Sequence, residues 1–412
     1  MNAFDAVEIC AGAGGQALGL EKAGFEHALA VELDSNACNT LRANRPSWKI
    51  AEGDVADESV WRPVDYQGVS LLAGGVPCPP FSIAGKQLGA NDERDLFAWA
   101  VNQVEVVQPR ALLLENVRGL SMPRFAGYRQ HVLDHLTELG YIAEWRLLQA
   151  SDFGVPQLRP RFILVALKAE DAPYFHWPET QPPPPNVGAT LVDLMAAGGW
   201  RWAERWSRKA DRIAPTIVGG SKKHGGADLG PTRAKRAWDE MAVDAMGVAD
   251  AAPSADKPKD HKPKLTCEMV ARIQGWSDKY EWEFTGRKTS KYRQIGNAFP
   301  PPVAHAVGAA IIRAFKHEGS RREFENTEHD SVYRALRASD GFVTPERLMK
   351  ISRLDDPAEL ERRIGLLSRD FHVEIQTEGT KTRYKLGDFK AFTGQQDHAR
   401  NDLFLQYRAR IS

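Results

Sequence analysis

Val7-Glu8-Ile9-Cys10-Ala11-Gly12-Ala13-Gly14-Gly15 is the stretch from which the fold of this 412-residue chain is read. A short apolar strand runs into glycines, and a helix-like segment follows. Glycines let the backbone turn tightly and approach a ligand closely, and the amides at a helix start face a polar group. The spacing departs from the GxGxxG of dinucleotide sites, and by itself the turn serves packing as well as it serves a ligand. Outward from it, apolar runs at residues 27–31, 69–73, 111–114 and 162–167 alternate with helix-like segments. That order implies βαβ units and a parallel sheet of the α/β class.

Two acids strengthen the ligand reading. Glu32 follows the second run, where a carboxylate can hold ribose hydroxyls, and Asp54 in Gly53-Asp54-Val55 stands where a third strand would end. Parallel sheets bind ligands at the carboxyl ends of their strands, so an adenosine-type cofactor without a dinucleotide's second half fits. Gly74-Gly75-Val76-Pro77-Cys78-Pro79-Pro80-Phe81-Ser82 comes directly after the run 69–73. A lone cysteine is usually a small buried hydrophobe, but a rigid Pro/Gly loop at a sheet edge is an awkward place for core filler. As a nucleophile Cys78 needs a partner. Leu112-Leu113-Leu114-Glu115-Asn116-Val117 ends another run with Glu115 on the same edge, which otherwise caps the next turn. In Gln157-Leu158-Arg159-Pro160-Arg161 the two arginines alternate with a strand's period and share one face, suited to a carboxylate or phosphate.

In this order, Pro77-Cys78-x-x-Phe81-Ser82, Glu115-Asn116-Val117, Gln157-x-Arg159-x-Arg161 and Gln294-Ile295-Gly296-Asn297-Ala298 resemble the ordered motifs of the DNA cytosine-5 methyltransferases. Residues 11–15 resemble that family's S-adenosylmethionine loop, residues 212–217 its penultimate motif, and residues 265–276 the segment before its last; the resemblance spans about residues 4–315. It implies a Rossmann-like S-adenosylmethionine-dependent methyltransferase domain of the bacterial restriction-modification type. The implied reaction is methylation of C5 of cytosine in a specific double-stranded DNA sequence, with base flipping and transient attachment of the enzyme to C6. Carried over residue by residue, the family pattern makes Cys78 the nucleophile and Glu115 the group on the target base, with Arg159 and Arg161 ordering the active site. Gly12, Gly15, Glu32, Asp54, Pro77, Leu96 and Asn297 would line the cofactor site, Glu32 on the ribose and Asp54 on the adenine amine. Two departures stand out. Cys10 occupies the place of a Phe that usually packs on the adenine, and Phe299 follows Asn297-Ala298 where a smaller apolar residue is common. One alternative is a tRNA cytosine-5 methyltransferase of the same fold, whose Cys-Phe-Thr tripeptide does not occur here. Another is a catalytically inactive DNA-binding homologue, against which intact Cys78, Glu115, Arg159 and Arg161 speak.

Lys+Arg and Asp+Glu both number 54, so overall charge argues for no polyanionic partner. Between Arg205 and Arg236, however, nine Lys/Arg face only Asp211 and Asp228. Lys222, Lys223, Arg233, Lys235 and Arg236 are the DNA contacts expected there, the alternative being a solvated basic loop. Five prolines between Pro178 and Pro185 make a stiff connection, and residues 188–263 look loop-rich. The expected organisation is residues 1–175 as the first part of the catalytic domain, 176–264 as a small irregular target-recognition region, 265–320 as a return to the catalytic domain, and 328–390 as a winged-helix-like α+β module. In that module helices are expected at 331–338, at 345–351 after Thr344 as cap, and at 357–371, with a hairpin of 373–377 and 382–386. Residues 328–412 hold fifteen Lys/Arg and fourteen Asp/Glu, a balance that weakens a DNA-binding reading and favours an accessory role. Cys10, Cys38, Cys78 and Cys267 lack paired spacing, so no disulfide framework and no metal is expected. No apolar run approaches the ~18 residues of a membrane span, and residues 1–10 carry no secretory pattern. A cytoplasmic monomer acting on double-stranded DNA, with a cognate restriction endonuclease as partner, is the expectation.

Overall fold

The computed structural model describes residues 4–76, 96–220, 227–324, 328–379 and 381–390. Pro77, Cys78, Lys222 and Lys223 lie outside the described residues. The apolar runs become strands β1 (Phe4–Ile9), β2 (Phe25–Glu32), β4 (Leu71–Gly74), β5 (Ala111–Val117) and β7 (Pro160–Lys168), joined by β3 (Ile50–Glu52) and β6 (Tyr141–Gln149). All seven form one sheet in the order β3-β2-β1-β4-β5-β7-β6. β1 pairs in parallel with β2 and β4, β2 with β3, and β4 with β5. Strand order reverses between β1 and β4, which puts the ligand-binding crevice of such sheets at their carboxyl ends. β4 and the residues 111–116 of β5 are buried throughout, which is why they read as continuous apolar runs rather than alternating ones. β6 is a sheet edge with mostly half-buried residues, and β3 is only three residues long, so neither left an apolar run to find.

Thirteen helices occur among the described residues: α1 (Gly15–Ala23), α2 (Ser35–Asn44), α3 (Leu96–Val107), α4 (Ala126–Glu138), α5 (Val187–Ala196), α6 (Ala203–Ser207), α7 (Thr232–Glu240), α8 (Cys267–Ile273), α9 (Lys288–Asn297), α10 (Pro301–Phe315), α11 (Ser331–Arg337), α12 (Pro345–Ser352) and α13 (Pro357–Asp370). None is long and apolar enough to cross a membrane. The chain forms two compact units, one made of Val106–Asn116, Trp145–Arg322 and the chain up to Val76, the other holding Val117–Glu144 and the carboxy-terminal residues from Glu323.

In the first unit α1 lies against α10 at close range. A Cβ on Gly19 would sit 2.5 Å from the Cβ of Ala304, and one on Gly15 would sit 2.3 Å from the carbonyl oxygen of Phe299. α10 opens with Pro301 and Pro302, whose missing amides fall where a helix's first turn leaves amides unused. One hydrophobic cluster runs from Val187 through Trp200, Trp206, Trp238 and Met269 to Ile295 and takes in Leu18 of α1. The residues 188–263 therefore share a core with α8 and α9.

The second unit contains the carboxy-terminal module. α11, α12 and α13 are followed by β8 (Phe371–Glu378) paired antiparallel with β9 (Lys381–Phe389), and Val343 bridges to Tyr384 of β9. Thr344 caps α12 by accepting from the amide of Arg347, as the sequence suggests. α11 and α13 seat on α4. Leu367 crowds Gly127, Gln130 accepts the amide of His329 at 2.8 Å, His131 meets the Tyr333 hydroxyl at 2.9 Å, and Arg337 pairs with Glu138 at 2.5 Å. Burial pushes His131 and His329 down to about 4, so both are neutral at ordinary pH. The module's acids stand beside its bases. Glu359 holds Arg362 at 2.7 Å and Arg363 at 2.8 Å, Glu374 holds Lys385 at 2.9 Å, and Glu378 sits opposite Lys381 in the hairpin. No one-sided basic face forms from these residues.

Asp171, just past β7, is fully buried. Its carboxylate accepts from Arg110 Nε at 2.6 Å and Nη2 at 2.7 Å and lies 3.0 Å from His317 Nε2, while Arg110 also donates to the carbonyl of Phe315. The cluster ties the start of β5 to the end of α10. Removing one partner of a buried ion pair costs about 3–5 kcal/mol. Asp171→Asn should therefore lower stability by about 3 kcal/mol, seen as a fall in the urea midpoint, with Arg110→Lys costing less because the head group is partly exposed.

Candidate active site

The loop after β1 takes left-handed backbone angles at alternate residues: φ is 52° at Cys10, 56° at Gly12 and 88° at Gly14. Two of the three are glycine, as that region of φ favours. Glu32, at the end of β2, braces the loop, with Oε2 accepting from the amide of Gly12 and Oε1 from that of Asp34, both at 2.7 Å. Burial pushes the Glu32 carboxyl up, and the two amides oppose it. Asp54 lies just past β3, where its Oδ1 accepts from the amide of Ala56 at 3.0 Å. A Cβ on Gly12 would meet nothing within 4 Å, so the space beside it is open. Gly15 differs, since its missing Cβ is required by the Phe299 backbone. A polar loop with an open side, a fixed carboxylate and a second acid at the strand ends fits an adenosine-type methyl donor. Cys10 is half-buried and Phe299 buried. Leu96 opens α3.

Glu115 is 8% exposed on β5, and Arg161 Nε lies 2.5 Å from its Oε1. Asn116 donates to the carbonyl of Val76 at 3.3 Å. Arg159 goes elsewhere. It is 1% exposed and donates to the carbonyls of Ile217 at 2.7 Å, Gly296 at 2.8 Å and Ala298 at 3.1 Å. The sequence suggested one shared face for the two arginines; Arg161 and Glu115 both act electrostatically on Arg159, so the side chains are neighbours, but their hydrogen-bond partners differ. Gly296 and Ala298 flank Asn297 at the end of α9, where helix carbonyls lack partners and carry negative partial charge. Arg159 thus fixes the turn that presents Asn297, whose Nδ2 donates to the carbonyl of Gly220 at 3.2 Å. Burial pushes both guanidiniums down; the neighbouring Arg161 adds to this at Arg159, while Glu115 opposes it at both. Gln157 completes the junction, accepting from the amide of Ile217 at 2.9 Å and donating to Gln274 at 2.5 Å. Gln274 carried no signal in the sequence, because its partner lies 117 residues away.

In the basic stretch, residues 232–240 form α7 rather than loop. Arg233 and Arg236 are exposed on it, whereas Lys235 pairs with Asp228 at 2.9 Å and Arg212 with Glu240 at 2.5 Å.

The sequence profile of the C-5 cytosine-specific DNA methylases matches residues 4–313. The chain belongs to that family. This DNA methylase is 64% identical over 414 residues, covering the whole of both chains, to Type II methyltransferase M.NaeI of Lentzea aerocolonigenes. It is 50% identical over 319 residues to Type II methyltransferase M.NgoMIV of Neisseria gonorrhoeae, covering 76% of this chain and 99% of the relative. Among solved structures it resembles a putative DNA modification methyltransferase encoded within an E. coli prophage, with TM-score 0.50, 21% identity and coverage of 76% of this chain and 100% of the other. Spodoptera frugiperda DNMT2 gives TM-score 0.52 at 17% identity, with the same coverages. Identities so low speak to the fold alone, and they agree with the Rossmann-like α/β sheet. The methylase uses S-adenosylmethionine as its methyl donor and is a DNA cytosine-5 methyltransferase, as the motif order implies.

Arg159→Met should leave the buried carbonyls of Ile217 and Gly296 without this donor, Ala298 keeping the one from Gln274 at 2.9 Å, and cost about 2–5 kcal/mol, visible as a lowered thermal midpoint. Arg159→Lys, which keeps the charge but cannot span the three carbonyls, should fall between this variant and wild type.

Proposed function

We propose that this methylase is the modification enzyme of a type II restriction-modification system, and that it works through Cys78 and Glu115. The observation that carries the reading is the near-buried Glu115 carboxylate, oriented by Arg161 at the carboxyl end of β5. β5 is the sheet neighbour of β4, the strand that leads into the Cys78 segment. Both relatives described above carry the name type II methyltransferase. S-adenosylmethionine, held by Gly12, Glu32, Asp54, Pro77, Leu96 and Asn297, supplies an electrophilic methyl group. Cytosine C5 is a weak nucleophile. The Cys78 thiolate adds to C6 while Glu115 protonates or hydrogen-bonds N3, and the C5=C6 electron pair moves onto C5. Once C5 is methylated, a base removes the C5 proton, the electron pair re-forms C5=C6, and the C6–S bond breaks to free Cys78. Arg161 keeps Glu115 in place, and Arg159 holds the α9 end. C5 and C6 are inaccessible in a stacked duplex, so the target base is flipped out.

Residues 176–264 serve target recognition within this reading, between the catalytic segments 1–175 and 265–320. The exposed Arg233 and Arg236 contact phosphate or base, with Lys222 and Lys223 beside them in sequence, whereas Lys235 is occupied by Asp228. The enzyme acts as a cytoplasmic monomer beside a cognate endonuclease. The module 328–390 has winged-helix element order but an accessory role, since its Lys/Arg and Asp/Glu are nearly equal in number and Arg362, Arg363 and Lys385 are paired with acids. In agreement, the Neisseria relative matches 76% of this chain along nearly all its own length.

DNA carrying 5-fluorocytosine at the target should form a denaturation-resistant adduct in the presence of S-adenosylmethionine, because fluorine at C5 blocks the final elimination. Cys78→Ala should abolish it, and trapping through Cys10, Cys38 or Cys267 would overturn the assignment. Glu115→Gln should lower kcat about 10²–10⁴-fold with DNA affinity retained. Bisulfite sequencing of DNA from expressing cells reads the target sequence directly. Neutralising Arg233 or Arg236 should make the slope of log K against log salt shallower by about one unit, with a smaller effect at Lys235. A chain ending near Ser320 should retain methyl transfer, and a folded truncation without it would contradict the accessory role.

A further inference from the structure

Between α8 and α9, residues 276–287 carry Trp276, Trp282 and Phe284, none of which the reaction above uses. Trp282 reaches the loop after β1. Its indole Nε1 donates to the carbonyl of Ala13 at 3.1 Å, and its ring fills the space beside Gly14, where a Cβ would lie 2.6 Å from ring carbon Cζ2. The ring packs against the Ala11, Ala30 and Leu41 cluster together with Trp48 and Ile50. Arg45 lies over it at 5.1 Å and is itself gripped by both carboxylate oxygens of Glu21 in α1, each at 2.7 Å.

The segment that carries the ring is stitched along α2. Asn44 donates to the carbonyl of Glu283 at 2.7 Å and accepts its amide at 2.8 Å. Thr285 donates its amide to Thr40 and its hydroxyl to the carbonyl of Asn36, both at 2.9 Å. Thr40 in turn donates to Gln294 of α9 at 2.6 Å, and Gln294 donates back to the carbonyl of Thr285 at 2.9 Å. The position of the ring is thus set by α1, α2 and α9 independently of any ligand.

We propose that Trp282 is a positioning residue for the cofactor loop, holding residues 11–14 in their binding shape from the side opposite the ligand. This rests on the cofactor-site reading above. Gly14 has its missing Cβ space filled by the ring, while Gly12 faces open space, so the indole acts through the backbone. The loop needs such support because Cys10 adopts φ 52°, a conformation that a residue with a Cβ rarely keeps without being held. A loop that is only fractionally in its binding shape lowers apparent affinity by that fraction.

Trp282→Phe keeps an aromatic side chain but removes the N–H and the indole carbons beside Gly14. Titration calorimetry of the full chain with S-adenosylhomocysteine should show Kd raised about five- to tenfold, the range set by losing one hydrogen bond. KM for S-adenosylmethionine should rise by the same factor, with kcat at saturating cofactor and DNA affinity unchanged. Asn44→Ala, which loosens the strut without touching the ring, should give a smaller rise in the same direction and guards against a misfolded Trp282 variant. Glu32→Ala serves as the control for the site itself. Weakened binding in Glu32→Ala with wild-type affinity in both Trp282→Phe and Asn44→Ala would overturn the positioning role and leave the site reading intact. Unchanged affinity in all three would overturn both together. Weakening in Trp282→Phe and Asn44→Ala alone would keep the strut and remove the role of Glu32. A fall in kcat without a change in Kd would also overturn the proposal.

Discussion

A guanidinium taken out of water must find compensation, and Arg159 finds it in three backbone carbonyls. Those carbonyls belong to segments far apart in the chain, Ile217 on one side and the turn between α9 and α10 on the other. The strand extension before β7, the segment 214–217 and the helix end bearing Asn297 are therefore tied together by one buried side chain, with Gln157 and Gln274 completing the junction. Arg161, two residues on, is left to orient Glu115 by itself. The arginine pair divides the work, one residue assembling the frame and the other holding the acid.

The loop after β1 follows the same logic from a different direction. Of its left-handed angles only that at Cys10 is unfavourable, since glycine takes the other two freely, and its hydrogen-bond partners come from around it: Glu32 grips Gly12, and Trp282 grips Ala13. Each brace belongs to an element formed for other reasons, β2 for the sheet and the 276–287 segment for its contacts with α2.

Charge is also distributed differently from what a count suggests. In the carboxy-terminal module near-neutrality arises from local pairing, Glu359 with Arg362 and Arg363 and Glu374 with Lys385, so no basic surface is left from those residues. In α7, by contrast, Arg233 and Arg236 remain exposed while only Lys235 is matched. A counted excess or balance becomes a surface only after neighbours are known.

The sequence by itself determined the parallel α/β class, the strand-glycine-helix turn, the order of the catalytic motifs and the helices and hairpin of the last module. These rest on local periodicity and on residues adjacent in the chain. It placed the end of a third strand near Asp54 without an apolar run to mark β3, and it missed β6, because a half-wet edge strand buries too little to leave such a run. It suggested one shared face for Arg159 and Arg161, and the tertiary structure gave these neighbours separate hydrogen-bond partners, backbone carbonyls for one and Glu115 for the other. Asp171, Gln274 and Trp282 were invisible as contributors for a common reason. Each acts through a partner between 61 and 269 residues away, and a single chain records which side chains it has, not which distant carbonyl or carboxylate folding will bring to meet them.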